Sequence, residues 1–407
     1  MKMLKNLSIL GLAVVISLSG CQKEENLVNN EQRENQQEPN LVQYQTGDVI
    51  PGQFIVTFNG KETKKAGWEN LSYNTKRTFI KQEATDLLKQ NTLEERELKH
   101  VFSSMIQGFS AQFTEDEIRK LQNSDRVENI EQDRYVALDK PDWLIDDGDG
   151  GSTGQETPWG ITRVNGGVDG TGKVAWIIDS GIDQDHPDLN VDQNRSYSVF
   201  TKGRDKSPDD NNGHGSHVAG TIAALDNDQG VVGVAAGASV VAVKVLDAKG
   251  GGSYSGVIEG IDYVGANANA GDVANMSLGG PTSDALDQAI LNASQNGIIF
   301  VLAAGNESDD ANNHSPARVN GEYIYTISAM DETDTWASFS NYGNPPIDYC
   351  APGVDIKSTW KDGEYNTISG TSMASPHAAG VLLLGNASTD GYVINDPDGD
   401  NDPIIVH

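Results

Sequence analysis

Beyond Gln155 the chain runs apolar in short bursts and then switches to helical spacing, a pattern few folds accept. "KVAWII", "VVAVKV", "VANMSL", "GIIFVLAAG" and "YIYTIS" are hydrophobic on both alternating faces, as strands covered on both sides must be. "SGVIEGIDYVGANA" and "SDALDQAILNASQNG" place apolar residues three and four apart, as crossover helices do. Residues 155–407 are therefore expected to form an α/β domain with a doubly wound, mainly parallel sheet. Reactive groups in such a sheet gather at the C-terminal ends of its strands.

Residues 51–138 carry a different pattern. "QFIVTF" and "HVFSSMIQGFSAQF" alternate like strands, the second around a turn at Gly108. "RTFIKQEATDLLKQ" is spaced like a helix, Thr114 with Glu117 forms a capping box, and "RVENIEQD" closes as a strand. The order β-α-β-β-α-β predicts a small α+β, ferredoxin-like domain. Residues 139–154 are Asp- and Gly-rich and read as an exposed linker, and residues 21–50 as a flexible polar tether.

Residues 1–20 have a basic start and a short apolar run, as a secretory signal does. Leu18-Ser19-Gly20-Cys21 resembles the bacterial lipobox, which implies that Cys21 carries a lipid, and "QKEE" after it resembles an acidic surface-export tag. The chain is then expected to be exported and lipid-anchored at the bacterial envelope or surface, with any mature product released. With Cys21 lipidated, Cys350 has no disulfide partner and is expected to be buried and inert. The balance of 29 Lys+Arg against 59 Asp+Glu, a net charge of −30, argues against nucleic acid as a partner, because nothing here would neutralise phosphates.

Three residues stand where strands or loops give way to turns and helices. Asp179 ends "KVAWIID", His214 opens "HGSHVAGTIAAL", and Ser372 sits in "GTSMASPHAAG". A serine at a helix start gains exposure and the positive end of the helix dipole. Together "DSGID", "HGSHVAGTIAA" and "GTSMASPHAAG", in the order Asp, His, Ser, resemble the subtilisin-like serine proteases, or subtilases, across residues 155–385.

The resemblance implies a serine endopeptidase acting on protein or peptide substrates, made as an autoprocessed zymogen and expected to be monomeric. Ser372 would attack the carbonyl, His214 would carry the proton, Asp179 would orient the imidazole, and Asn306 would serve the oxyanion hole. His377, five residues beyond Ser372, and His217, beside His214, are expected to be structural. Gly250, Gly251 and Gly252 match the edge on which substrate lies as an added strand. Ser277, Leu278 and Gly279 match the opposing wall, with Ala304 and Gly305 beyond it. Glu307, Asp309 and Asp310 are expected in a solvated loop, leaving a broad pocket for large apolar residues.

A structural Ca²⁺ site is implied at Gln155, Asp188, Leu225, Asn227, Gln229 and Val231, mostly through carbonyl oxygens. The small domain resembles the subtilase inhibitory propeptide. The chain ends soon after Ser372 without the family's long helical tail, so the sheet is expected to close differently. The rival reading is a catalytically silent surface lipoprotein that binds peptides or calcium.

Overall fold

In the computed structural model, which describes residues 45–61, 67–138 and 154–407, the apolar positions of the small domain all meet in one core. Its elements are β1 (Val49–Phe58), α1 (Tyr73–Gln90), β2 (Leu98–Phe102), β3 (Gly108–Gln112), α2 (Glu115–Gln122) and β4 (Val127–Ala137). The strands are antiparallel in the order β4-β1-β3-β2, the ferredoxin-like arrangement. Ile80, Ala84, Leu87 and Leu88 recur along α1 and pack with Phe109 and Leu121. The capping box forms, with Thr114 N donating to the Glu117 carboxylate at 2.8 Å and Glu117 N to the Thr114 hydroxyl.

Two details depart from the sequence expectation. The β2–β3 connection is Ser103–Gln107, and Gly108 instead begins β3, where a Cβ would strike the Val56 carbonyl. The packed chain also starts ahead of residue 51. Gly47 N donates to Tyr135 O and Tyr135 N to Asp48 O, both at 2.8 Å, so Gln45–Asp48 lines the edge of β4. The signal segment, Cys21 and residues 139–153 lie outside the described residues. Among the described residues no helix is long and apolar enough to cross a membrane.

The larger domain contains α3 (Trp159–Arg163), α4 (His214–Ala223), α5 (Tyr254–Asn267), α6 (Asp284–Ser294) and α7 (Thr371–Leu384). Val174–Asp179 lies between the parallel strands Ser239–Lys244 and Val273–Met276. Ile299–Ala303, Ile324–Met330 and Ile347–Pro352 continue the parallel sheet. Alternate residues of one strand serve opposite cores. Ala175 and Ile177 pack with α4 and α7, whereas Trp176 and Ile178 pack with α5 and α6. That alternation is why these strands lack a polar face.

In place of a helical tail, Ser388–Tyr392 and Pro403–Val406 form an antiparallel pair that extends the sheet beyond Ile347–Pro352. Its acidic connection ends at Asp402, which is buried and accepts from Ser328 Oγ and Asn344 Nδ2. Cys350 is fully buried, and burial pushes its thiol pKa well up.

Candidate active site

The parallel sheet delivers Asp179 to the C-terminal end of a central strand, where its carboxylate is fully buried. His214 is the first residue of α4, and its Nδ1 lies 2.8 and 2.9 Å from the two Asp179 carboxylate oxygens. Burial opposes a charge on this imidazole, but Asp179 outweighs it and holds the pKa above the usual histidine value. Ser372 is the second residue of α7, so its hydroxyl sits at the helix's positive end. In this structure that hydroxyl donates to Ser277 O at 3.3 Å.

Asn306 follows the strand Ile299–Ala303, and its Oδ1 accepts from both Thr371 N and Thr371 Oγ1 at 2.9 Å. Anchoring the oxygen leaves the amide N–H₂ to point away from Thr371. The other two histidines of these motifs are internal. His377 Nδ1 is bonded to Met373 O at 2.8 Å and His217 Nε2 to Ile356 O at 2.9 Å. Burial lowers their pKa values to about 4 and about 3.

Beside Ser372 lies a cavity lined by Leu278, Gly279, Ala304, Gly305, Glu307 and His314 among others. Ser277 ties its wall to the serine helix through bonds to Ser372 O at 2.8 Å and Ser375 Oγ at 2.9 Å. Asp309 and Asp310 belong to the loop: Asp310 caps a short turn and Asp309 holds His314 Nε2 at 3.3 Å. Glu307 is exposed in this loop, as expected, and it also borders the cavity. Buried Asn341 donates to its carboxylate at 2.6 Å and accepts its backbone N–H at 3.0 Å, turning the acid into the cavity wall. Its other neighbour is His314 Nδ1, 3.7 Å away. Glu307→Gln is expected to cut kcat/KM for peptides with Lys at the residue before the cut by roughly tenfold. Peptides with Phe there should change little, and equal losses for the two series would remove Glu307 from selectivity.

Gly251, Gly252 and Ser253 form a short strand that pairs antiparallel with Ala137, Val136 and Tyr135 of β4. Leu138 N adds a bond to Gly250 O at 2.9 Å, and Leu138 reaches the rim of the Ser372 cavity. Thr46 Oγ1 bonds both the O and N of Ala137, at 2.7 and 3.0 Å, on the side facing Gly280. The small domain thus lays its last strand on the glycine edge and wedges its first packed residues against the opposing wall.

Carboxylates hold it there. Asp133 accepts from Ser255 N at 3.1 Å, at the start of α5, and Glu131 accepts from Ser283 Oγ and Ala285 N at the start of α6. Two acids two residues apart on one strand therefore meet two helix N-termini, where negative charge is favoured. In the reverse direction Asp262 of α5 accepts from Ser103, Ser104 and Met105 N at 2.9, 2.6 and 2.7 Å. Burial raises the Asp262 pKa to about 6 against the pull of these donors.

Of the residues matched to calcium, Leu225 O and Val231 O both face the Gln155 amide, at 2.6 and 3.4 Å. Asp188 accepts from Asn227 Nδ2 and Val231 N, both at 3.0 Å. Gln229 N donates to Asn227 Oδ1 at 3.1 Å, and its side chain reaches Pro187 O at 3.5 Å. The two carbonyls share one small locus with side-chain amides whose oxygen and nitrogen ends are interchangeable in space. An all-oxygen set of this kind fits a hard cation. No group of three or more His, Cys, Asp or Glu suited to a metal occurs among the described residues.

A carboxylate-backed imidazole, a helix-start hydroxyl beside a cavity and a prodomain strand on the adjoining edge are the parts that serine peptidases and their prodomains use. Comparison with known proteins narrows the class. A model described as the Subtilase family matches residues 170–390, and one described as Peptidase inhibitor I9 matches residues 53–139. Alkaline serine exoprotease A of Vibrio alginolyticus is 43% identical over 299 residues, 71% of this chain and 53% of that protein. The chain thus spans about half the length of that relative. Proteinase T of Parengyodontium album is 43% identical over 270 residues, 62% of this chain and 84% of its own. A crystal structure of a cold adapted subtilisin-like serine proteinase is 40% identical with a TM-score of 0.53, covering 60% of this chain and 96% of that one. The chain belongs to the subtilase family.

Proposed function

We propose that this protein is an exported endopeptidase made as a zymogen, in which Ser372 is the nucleophile, His214 the general base and acid, and Asp179 the group that orients the imidazole. The observation that carries the reading is β4 lying on the Gly251–Ser253 edge with Leu138 at the rim of the Ser372 cavity. An extended peptide bound this way would continue past the nucleophile, with main-chain bonds supplying affinity and the cavity supplying selectivity. Ser372 Oγ attacks the carbonyl carbon as His214 Nε2 takes its proton, and the Asp179 bond to Nδ1 keeps Nε2 free to do so. The negative charge on the carbonyl oxygen is met by Asn306 Nδ2 and the Ser372 backbone N–H. His214 then returns the proton to the leaving amine, and water repeats the sequence on the acyl-enzyme.

Maturation follows by a cut within residues 139–154, after which residues 51–138 act as a separate inhibitor. Residues 1–20 serve as the export signal and Cys21 as the lipid attachment point, so the precursor is anchored and the cut releases the peptidase. The test is a fluorophosphonate probe, which should label Ser372 after maturation and fail to label it while the propeptide is bound. A matured chain that stays unlabelled would end the peptidase reading and favour a silent lipoprotein.

A bound Ca²⁺ would be held by Gln155, Asp188, Leu225, Asn227, Gln229 and Val231. These residues would thereby join the start of the domain to the loop after α4, at the opposite end of that helix from His214. Chelation is therefore expected to lower the melting temperature by roughly 10 °C and leave initial rates at 20 °C unchanged. Scanning calorimetry with EDTA and with added CaCl₂ checks this, and identical melts would remove calcium from the account.

A further inference from the structure

Behind the Asp179–His214 pair lies a second buried carboxylate with no part in the steps above. Asp210 is 5% exposed and accepts five hydrogen bonds. Oδ1 takes Ser180 Oγ at 3.0 Å and the backbone N–H of Asn212 and Gly213 at 2.9 Å. Oδ2 takes Ser216 N at 2.9 Å and Ser216 Oγ at 2.7 Å. All five partners act as donors, so the group is an acceptor throughout, as a carboxylate is.

These bonds join the two elements that carry Asp179 and His214. Ser180 directly follows Asp179 and also accepts Gly215 N at 2.9 Å through the same hydroxyl that Asp210 holds. Gly213 is the residue before α4, at φ +117°, where a Cβ would strike the Trp360 ring, so the helix starts without a capping side chain of its own. Asp210 supplies the missing cap from three residues upstream by taking Ser216 N. We propose that Asp210 is a positioning residue for catalysis: it fixes the start of α4 against the end of the Asp179 strand and adds a second negative charge behind His214.

The charge acts in the same direction as Asp179. After burial, which opposes protonation, and Asp179, Asp210 is the further group that favours the His214 imidazolium. The other charged groups nearby have their own partners. Lys244 Nζ donates to Ser180 O and lies 3.4 Å from Asp205, and Lys361 pairs with Asp362 at 2.7 Å. Asp183, beyond Ser216, takes Gly363 N at 2.8 Å, and neighbouring His217 is kept uncharged by burial.

The proposal rests on the Asp179–His214–Ser372 reading, and its test is the pH profile of kcat/KM for matured Asp210→Asn on a chromogenic peptide. Loss of the charge makes the imidazolium less stable, so the acid limb should move down by roughly half a pH unit. The plateau should fall on the order of 10- to 100-fold through misplacement of the base, mainly in kcat, with KM within about twofold. An acid limb that stays in place, even with a lower melting temperature, would make Asp210 merely structural and overturn the proposal. Ser180→Ala keeps the charge but cuts the tie, and should lower kcat several-fold without moving the limb downward. Should Asp210→Asn fail to fold, an unchanged kcat in Ser180→Ala overturns the positioning role. Failure of the parent reading is distinct, because wild type itself would then be inactive and unlabelled.

Discussion

Ser372→Ala is expected to stay a single uncut chain under conditions where wild type yields a mature N-terminus between residues 139 and 154. Residual peptide hydrolysis should lie about 10⁶-fold below wild type, a scale taken over from subtilisin rather than derived from this geometry. The substitution removes one oxygen from a hydroxyl that, among the described residues, bonds Ser277 O, so the fold and the prodomain contacts should persist. Intact mass and N-terminal sequencing of the two chains, purified side by side with calcium, decide the matter. A mutant cut at the same bond as wild type would assign maturation to another protease, and unchanged hydrolysis would dismiss Ser372 as nucleophile.

Asn306→Ala should produce the next largest effect, a fall in kcat of about 10²–10³, again a scale known from subtilisin itself. The structural argument lies in Thr371, whose backbone and side chain both grip Asn306 Oδ1 at 2.9 Å. With its oxygen fixed, the amide N–H₂ is aimed before substrate arrives and needs no reorganisation as charge develops. KM should stay within a few-fold, because the donor meets an oxyanion that the ground state lacks. Steady-state kinetics on a peptide anilide separate the two terms. A raised KM at constant kcat would recast Asn306 as a binding residue.

The order of elements was readable because each depends on local pattern. Residues Ala175 to Ile178 are apolar on both faces, and only a doubly covered strand uses such a sequence. Asp179, His214 and Ser372 were found through short motifs, and the structure brings the first two within 2.8 Å. Asp210 stood in plain view four residues before His214, yet its role depends on Ser180, thirty positions earlier in the chain. Glu131 and Asp133 belong to the closing strand "RVENIEQD", and docking against α5 and α6 gives them partners. Glu307 lies exposed in its loop as expected, but its bond to Asn341, from a distant turn, has no local signal. Polar residues took their meaning from partners remote in sequence, which periodicity does not encode.

The strand that ends at Ala137 is held on the Gly251–Ser253 edge by backbone bonds while the chain remains continuous. In that state the inhibitor faces the cleft at an effective concentration of order millimolar, whatever the amount of protein present. The proposed cut beyond Leu138 would leave the Gly251–Ser253 pairing available but remove that guarantee. Occupancy then follows the number of free prodomains per volume, and a dilute surrounding empties the cleft where a crowded one refills it. Latency after such a cut would be governed by dispersal, and activity should emerge only as the two pieces diffuse apart.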